Sequence, residues 1–204
     1  TEERNKYLIL KFNFSRIDPG SSNIEDAFLF NVKNVVSFFV RKYGKETGIN
    51  IEKILSEFDK IKTAAGLLDT LFYYFQEKEK KLYVIIDEYD NFANTILSDS
   101  GQDEYHSLTH GEGFFRAFFN VLKGGATGSD TPIARLFMTG VSPITLDDVT
   151  SGFNIATNIS LHKDINEIMG FTGSEVETLI EYYRQTGKIL HPTTEIMKIM
   201  EYWY

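Results

Sequence analysis

Two adjacent carboxylates are the residues of this sequence best suited to chemistry. Asp87 and Glu88 directly follow Leu82–Ile86, a mostly aliphatic run with the length and composition of a buried strand. Ligands bind at the carboxyl ends of strands in open α/β sheets, so the pair would lie at a binding edge. Since consecutive strand residues point in opposite directions, one carboxylate would orient the water shell of Mg²⁺ and the other would reach an attacking water.

This division of labour is expected of a Walker B segment in a phosphate-hydrolysing P-loop protein, where catalysis is mainly positioning and charge neutralisation. The pattern is short. The alternative, that the two carboxylates only end a strand and cap the next segment, stays open.

A second strand ends in a polar side chain at Thr139, which Gly140 follows. In additional-strand ATPases the strand beside Walker B ends in a polar residue that senses the γ-phosphate or positions water. Thr139 occupies that place, and an ordinary strand-terminal threonine is the alternative interpretation.

A phosphate-binding loop would read Gly-x-x-x-x-Gly-Lys-Ser/Thr between a strand and a helix. The 204 residues contain no Gly-Lys followed by Ser or Thr, and Gly44-Lys45-Glu46 and Gly187-Lys188-Ile189 both have the wrong third residue. Because that loop supplies the backbone amides and the lysine that hold phosphates, we expect the isolated chain to bind ATP weakly or not at all.

Other polar groups carry weaker signals. His106 and His110 have a metal-ligand spacing for a helix, but glycines follow at once, which favours a solvated loop. The acidic pair Asp147-Asp148 is interpreted as the start of a helix. Arg135 and Arg184 are not assigned to phosphate, since Arg135 begins its strand and Arg184 lies in an unplaced helix.

The strands that position these residues alternate with helical patterns. Strands are predicted at Tyr7–Phe14, Leu82–Asp87 and Arg135–Thr139, with a weaker fourth at Ile155–Leu161. Helical stretches separate the first three, which predicts a parallel sheet with crossover helices.

The helical segments have recognisable starts and ends. Ser22-Asn23-Ile24-Glu25 has the form of a capping box, and further helices are predicted from about Asn50, across Leu67 to Phe75, and from Phe114 to Gly124. A polar, Gly-rich loop is predicted from Asp99 to Gly113. Two helices end the chain, so we expect an α/β core over residues 1–163 and a helical extension over 164–204.

Composition limits the class of protein. The chain has 21 Lys and Arg against 29 Asp and Glu, a formal charge of −8, and 17 Phe with 11 Tyr, which excludes a disordered chain. It has no cysteine and no apolar run of membrane-spanning length, so we expect a cytoplasmic protein without membrane segments. Its acidity argues against general nucleic-acid binding.

Two long segments resemble the bacterial AAA-ATPase-like proteins, often described as predicted AAA-ATPases. The first is Val84-Ile85-Ile86-Asp87-Glu88-Tyr89-Asp90, and the second runs from Phe137-Met138-Thr139-Gly140-Val141-Ser142-Pro143 through to Ile155. The second segment is long and idiosyncratic, and the resemblance extends over the whole chain. In that family a Walker A loop precedes the segment that resembles Tyr7–Ser15, so the chain is expected to be trimmed at both ends.

The resemblance implies a three-layer α/β/α fold of the additional-strand P-loop type, with strand order 5-1-4-3-2, of which this chain supplies strands 2 to 5. It implies ATP and Mg²⁺ as cofactors, Asp87 as the Mg²⁺-side carboxylate, Glu88 as the general base and Thr139 as the sensor. Asp90 is a further candidate. Many family members carry a nuclease-like domain of the PD-(D/E)xK type after this region.

The sequence is therefore interpreted as part of an ATP-binding, ATP-hydrolysing domain, with turnover in a protein that also has Walker A. The alternative is a nucleotide-regulated or degenerate scaffold that binds a partner or an attached nuclease-like domain. The sequence does not determine the oligomeric state.

Overall fold

The computed structural model describes residues 4–17, 23–76, 78–111, 113–128, 130–141, 155–160, 162–165 and 170–203. The chain divides into two compact units, Thr1–Ala156 and Thr157–Tyr204. The division into an ATPase-like core and an extension at residues 163 and 164 stays a prediction.

The first unit contains a three-stranded parallel sheet. Its strands are β1 (Tyr7–Asn13), β2 (Lys81–Asp87) and β3 (Ile133–Met138), in the order β1-β2-β3. All three predicted strands are confirmed to within two residues at each end. This order agrees with the 4-3-2 portion of the order that the family resemblance implies, and the places of strands 1 and 5 stay expectations.

Helices connect the strands, as parallel pairing requires. In the described residues of the first unit they are α1 (Ile24–Tyr43), α2 (Ile51–Phe58), α3 (Ala64–Phe75), α4 (Asn91–Ser100), α5 (Gln102–Thr109) and α6 (Phe114–Ala126). Side-chain caps begin three of them: Asn23 accepts from the N–H of Asp26, Asn50 from that of Lys53, and Thr63 from that of Gly66. These bonds satisfy N–H groups that a helix start leaves without a helical partner.

The core lies on one face of the sheet. Leu8, Leu10 and Phe12 of β1 and their counterparts Leu82, Val84 and Ile86 of β2 are fully buried there. Helix α1 packs on β1, α6 packs on β3, and α3 contacts both helices. Aromatic rings fill the space between the layers; the rings of Phe12 and Phe118, for example, meet edge to face at 5.4 Å.

The opposite face of the sheet is partly open in the described residues. Ile9 of β1 is 39% exposed and Phe137 of β3 is 43% exposed, and both lie on this face. Parallel sheets are usually covered on both sides. The second helical layer of a three-layer fold therefore stays an expectation, whereas the α/β class and the parallel sheet are confirmed.

Two predictions about local structure were wrong. The segment Asp99–Gly113 is not a loop, because α4 runs to Ser100 and α5 occupies Gln102–Thr109. Gly101, with positive φ, ends α4, whereas α5 ends at His110 and Gly111 follows it. These glycines give the segment the composition of a loop. The described part of the fourth predicted strand, residues 155–160, has no strand.

Asn23 caps α1 in the structure, and Ser22, the first residue of the predicted capping box, lies outside the described residues. Asn23 is an equally good acceptor for the first-turn N–H groups, so the sequence pattern does not separate the two positions.

The second unit contains α7 (Gly173–Gln185) and α8 (Thr193–Trp203), which pack on each other. Thr172 and Glu175 form a reciprocal capping box at the start of α7. The side chain of Arg184 pairs with Glu181 at 2.9 Å.

None of the helices in the described ranges is long and apolar enough to span a membrane.

Candidate functional site

The carboxyl ends of β2 and β3 are joined by backbone hydrogen bonds beyond the regular ladder. The Thr139 N–H donates to the Ile86 carbonyl at 2.9 Å, and the Tyr89 N–H donates to the Thr139 carbonyl at 3.0 Å. Thr139 is therefore held beside Asp87 and Glu88 by the main chain. The sheet thus brings together two of the predicted site residues, Asp87 and Thr139, which are 52 positions apart in the sequence.

Asp87 and Thr139 are in direct contact. The Thr139 hydroxyl donates to Oδ1 of Asp87 at 2.7 Å, a short bond as expected for an ionised acceptor. This hydroxyl is the main reason that the pKa of Asp87 lies below its ordinary value, and Lys11 adds to the effect while desolvation opposes it. Asp87 is thus a carboxylate at neutral pH.

Lys11 is a site residue that the sequence analysis missed. Its ammonium group lies 3.4 Å from Oδ2 of Asp87, and 55% of its side chain is exposed against 36% for Asp87. The register pairs Lys11 with Ile85 and Asn13 with Asp87, which places Lys11 and Asp87 on the same face of adjacent strands. The signal that could have revealed it is that Lys11 is the charged residue of β1 and lies two residues before the end of this strand. It therefore shares a face with the last residue of β1, at the edge where ligands bind.

Glu88 has an unusual backbone. It follows β2 with φ of 56°, in the left-handed region that non-glycine residues rarely adopt. Such strain is concentrated at functional sites, where the surrounding structure enforces it. The turn separates Glu88 from the face that carries Asp87.

Glu88 borders a small polar cavity of about 260 Å³ at the start of α4. The residues that line it are Glu88, Asp90, Asn91, Asn94, Thr95, Ser98 and Val141. Within the described ranges, the Glu88 carboxylate has no hydrogen-bond or ion-pair partner. A carboxylate in this state is able to accept a proton from a water molecule bound in the cavity.

Asp90 has a structural task at this edge. It is only 1% exposed, and its carboxylate accepts the N–H of Val141 at 3.0 and 3.1 Å and the side-chain amide of Asn94 at 3.1 Å. The backbone of Gly140 lies so close that a Cβ atom there would be 2.5 Å from Asp90 Oδ1. Asp90 therefore fixes the segment after Thr139 against the start of α4.

The other polar residues lie elsewhere or form local contacts. Arg135 is exposed on β3 opposite Tyr83, and Arg184 belongs to the second unit. His106 lies inside α5 and not in a loop; its ring is 4.2 Å from that of His110, whose Nδ1 contacts the Thr109 hydroxyl. The aspartates at 147–148 lie outside the described residues.

The donor set fits a Mg²⁺ ion that is held mainly by a nucleotide. Asp87 and Thr139 offer a carboxylate and a hydroxyl oxygen, which Mg²⁺ accepts as ligands. Among the residues that the structure describes, no three His, Cys, Asp or Glu side chains form a group able to hold a metal by themselves. Since Mg²⁺ is commonly bound by one or two carboxylates together with substrate phosphates and water, a single carboxylate is sufficient here.

A larger cavity, of about 570 Å³, lies between the starts of α1 and α6 and the side of α5. Glu25, Glu104, Ser107 and His110 are among the residues that line it. It does not include Asp87, Glu88 or Thr139, so it is a separate feature of the surface.

Comparison with known proteins adds a family to this geometry. A family model described as "Predicted AAA-ATPase" matches residues 1–150, which include all three strands and the residues at their carboxyl ends. No curated protein and no solved structure gives a significant match. Because the matched region is most of the chain and contains the acidic strand end and its threonine neighbour, the chain belongs to the predicted AAA-ATPase family.

Proposed function

We propose that this chain supplies the hydrolytic edge of an ATP-binding and ATP-hydrolysing domain, with Asp87–Glu88 as its Walker B pair. The observation that carries the proposal is the 2.7 Å hydrogen bond from Thr139 to Asp87, which joins the ends of two neighbouring parallel strands. Ligands of open α/β sheets bind at such strand ends. Membership in the predicted AAA-ATPase family supports nucleotide and Mg²⁺ as those ligands.

Asp87 and Thr139 have the role of holding the metal end of Mg·ATP. When bound, Mg²⁺ neutralises charge that develops on the phosphate oxygens. Thr139, and to a lesser degree Lys11, lower the pKa of Asp87 further below its already acidic ordinary value, so a carboxylate is present here at neutral pH. Thr139 links this carboxylate to the segment that Asp90 fixes, and we assign to it the role of sensing the terminal phosphate.

Glu88 has the role of general base. Its carboxylate borders the 260 Å³ cavity and has no partner in the described chain, whereas both oxygens of Asp87 have one. A base has to be within hydrogen-bond reach of the water whose proton it takes, and it must not already be occupied. Glu88 lines the cavity and Asp87 does not, so the two neighbouring carboxylates have different roles in the proposal.

Nucleotide turnover in the protein that carries this chain together with a phosphate-binding loop tests the proposal. Glu88→Gln should lower turnover at least about 100-fold while nucleotide binding is kept, because the amide cannot accept the proton of the attacking water. Glu52→Gln, an exposed change on α2, is the matched control. Turnover that survives Glu88→Gln removes Glu88 from the role of base.

A scaffold function is the second candidate. The open face of the sheet, with Ile9 and Phe137 exposed, favours an interaction surface. The partner would be another protein or an attached domain of the PD-(D/E)xK nuclease-like type. An intact Gly-Lys-Ser/Thr loop in the protein that carries this chain favours the ATPase, and a damaged loop favours the scaffold.

A further inference from the structure

Lys11 and Asp87 form the one cross-strand ion pair at the candidate site within the described residues. Their charged groups are 3.4 Å apart on the open face of the sheet, at the carboxyl ends of β1 and β2. The pairing is diagonal, since Asp87 lies directly opposite Asn13 and Lys11 is two residues before it. A long lysine side chain spans such a diagonal readily.

Each oxygen of Asp87 already has one partner in the structure. Thr139 occupies Oδ1 and Lys11 occupies Oδ2, and only the second partner is a cation. A divalent ion that binds Oδ2 would lie against the lysine ammonium group, and two like charges at that distance repel each other. The Lys11 ammonium group therefore competes with a metal for Oδ2 of Asp87, and movement of the Lys11 side chain favours metal binding.

The Lys11 side chain is able to make that movement. More than half of it is exposed, and it projects from the open face of an edge strand rather than into the core. Exposed ion pairs are weak, so release of Lys11 has a low cost.

We propose that Lys11 is an internal counter-cation of Asp87 that competes with the divalent metal for this carboxylate and is displaced when the metal binds. The inference rests on the proposed metal role of Asp87. It assigns to Lys11 the task of occupying Asp87 until the metal binds, which makes Lys11 a positioning residue and not a catalytic one.

Binding of Mn²⁺ in the presence of ADP to the protein that carries this chain together with a phosphate-binding loop, followed by water proton relaxation, tests the inference. Lys11→Met should bind Mn²⁺ about fivefold more tightly than the wild type, the size expected when an exposed ion pair no longer competes. Lys11→Arg should bind as the wild type does. Lys60→Met is the matched control, because it changes the net charge equally at an exposed residue beyond α2.

A second pair of variants separates the two ideas. Asp87→Asn should weaken Mn²⁺ binding, and in that background Lys11→Met should have no further effect. If Asp87→Asn leaves Mn²⁺ affinity unchanged, the proposed metal role and the inference both fail. If Asp87→Asn weakens binding but Lys11→Met equals Lys60→Met, the inference alone is overturned. Equal affinity in wild type and Lys11→Met, including no measurable binding by either, also overturns it.

Discussion

The carboxylate of Asp90 accepts the backbone N–H of Val141 with both oxygens, at 3.0 and 3.1 Å. The two residues are 51 positions apart, and the bond ties the segment after β3 to the start of α4. Asp90 is fully buried and Thr139 lies two residues before Val141, so this clamp also fixes the position of Thr139.

Loss of the clamp should destabilise the fold. Asp90→Ala removes a buried carboxylate together with its hydrogen bonds to the Val141 N–H and the Asn94 side chain, and the free energy of unfolding should fall by about 1.5–3 kcal/mol. Urea denaturation measures the change. Asp69→Ala on the exposed side of α3 is the control, for which a change within about 0.5 kcal/mol is expected. Equal effects of the two substitutions would refute the clamp.

The hydrogen bond between Thr139 and Asp87 should be visible in the titration of Asp87. Thr139→Val removes the hydroxyl, so the pKa of Asp87 should rise toward its ordinary value of 3.8. Carboxyl carbon NMR measures this pKa, and Thr139→Ser, which keeps the hydroxyl, should leave it low. An Asp87 pKa that is the same with valine and threonine at position 139 contradicts the bond.

The same bond implies a pH dependence of stability. Because the pKa of Asp87 is lower in the folded than in the unfolded chain, its contribution to stability is fully present above pH 3.8. It is lost as pH falls through the lower folded-state pKa. The stability difference between wild type and Thr139→Val should therefore be larger at pH 7 than at the acid end of this window, as urea denaturation at both pH values would show.

The backbone at Glu88 predicts a reversed order of glycine and alanine. With φ of 56°, Glu88→Gly should be about 1 kcal/mol more stable than Glu88→Ala, because only glycine adopts this conformation without strain. At exposed Asn34, within α1, alanine should instead be more stable than glycine by about 1 kcal/mol. Thermal unfolding of the four variants gives both comparisons. Alanine as the better residue at position 88 would show that the turn is not strained.

Two neighbouring glycines in α6 should respond in opposite directions to alanine. A Cβ atom at Gly125 would lie 2.6 Å from the Phe72 ring of α3, so Gly125→Ala should cost about 1–3 kcal/mol. Gly124 is exposed with nothing within 4 Å, and Gly124→Ala should stabilise by up to about 1 kcal/mol. Urea denaturation distinguishes them, and similar values would contradict the close contact of α3 and α6.

The sequence pattern predicted the elements that depend on local chemistry. Aliphatic runs between polar residues identified β1, β2 and β3, and helical periodicity identified the start of α2 near Asn50. The loop predicted between Asp99 and Gly113 was wrong, because a segment with glycines at or just beyond its helix ends has the same composition as a loop.

The roles of individual polar residues were harder to predict from the sequence than the strands and helices. Asp90 was a candidate for chemistry on its position after Glu88, but its burial and its bonds to Val141 and Asn94 give it a structural task. Lys11 carried no motif. Both outcomes depend on contacts between strands and loops that are far apart in the chain, which no local pattern contains.

By itself, the amino-acid sequence determined that acidic and hydroxyl side chains end two buried strands, because hydrophobic burial and strand length are local properties. Only the tertiary structure decided that Thr139 bonds Asp87, that Lys11 neutralises it and that Glu88 turns away. Those relations arise from parallel register and from one left-handed residue, and both are set by the packing of the whole sheet against its helices.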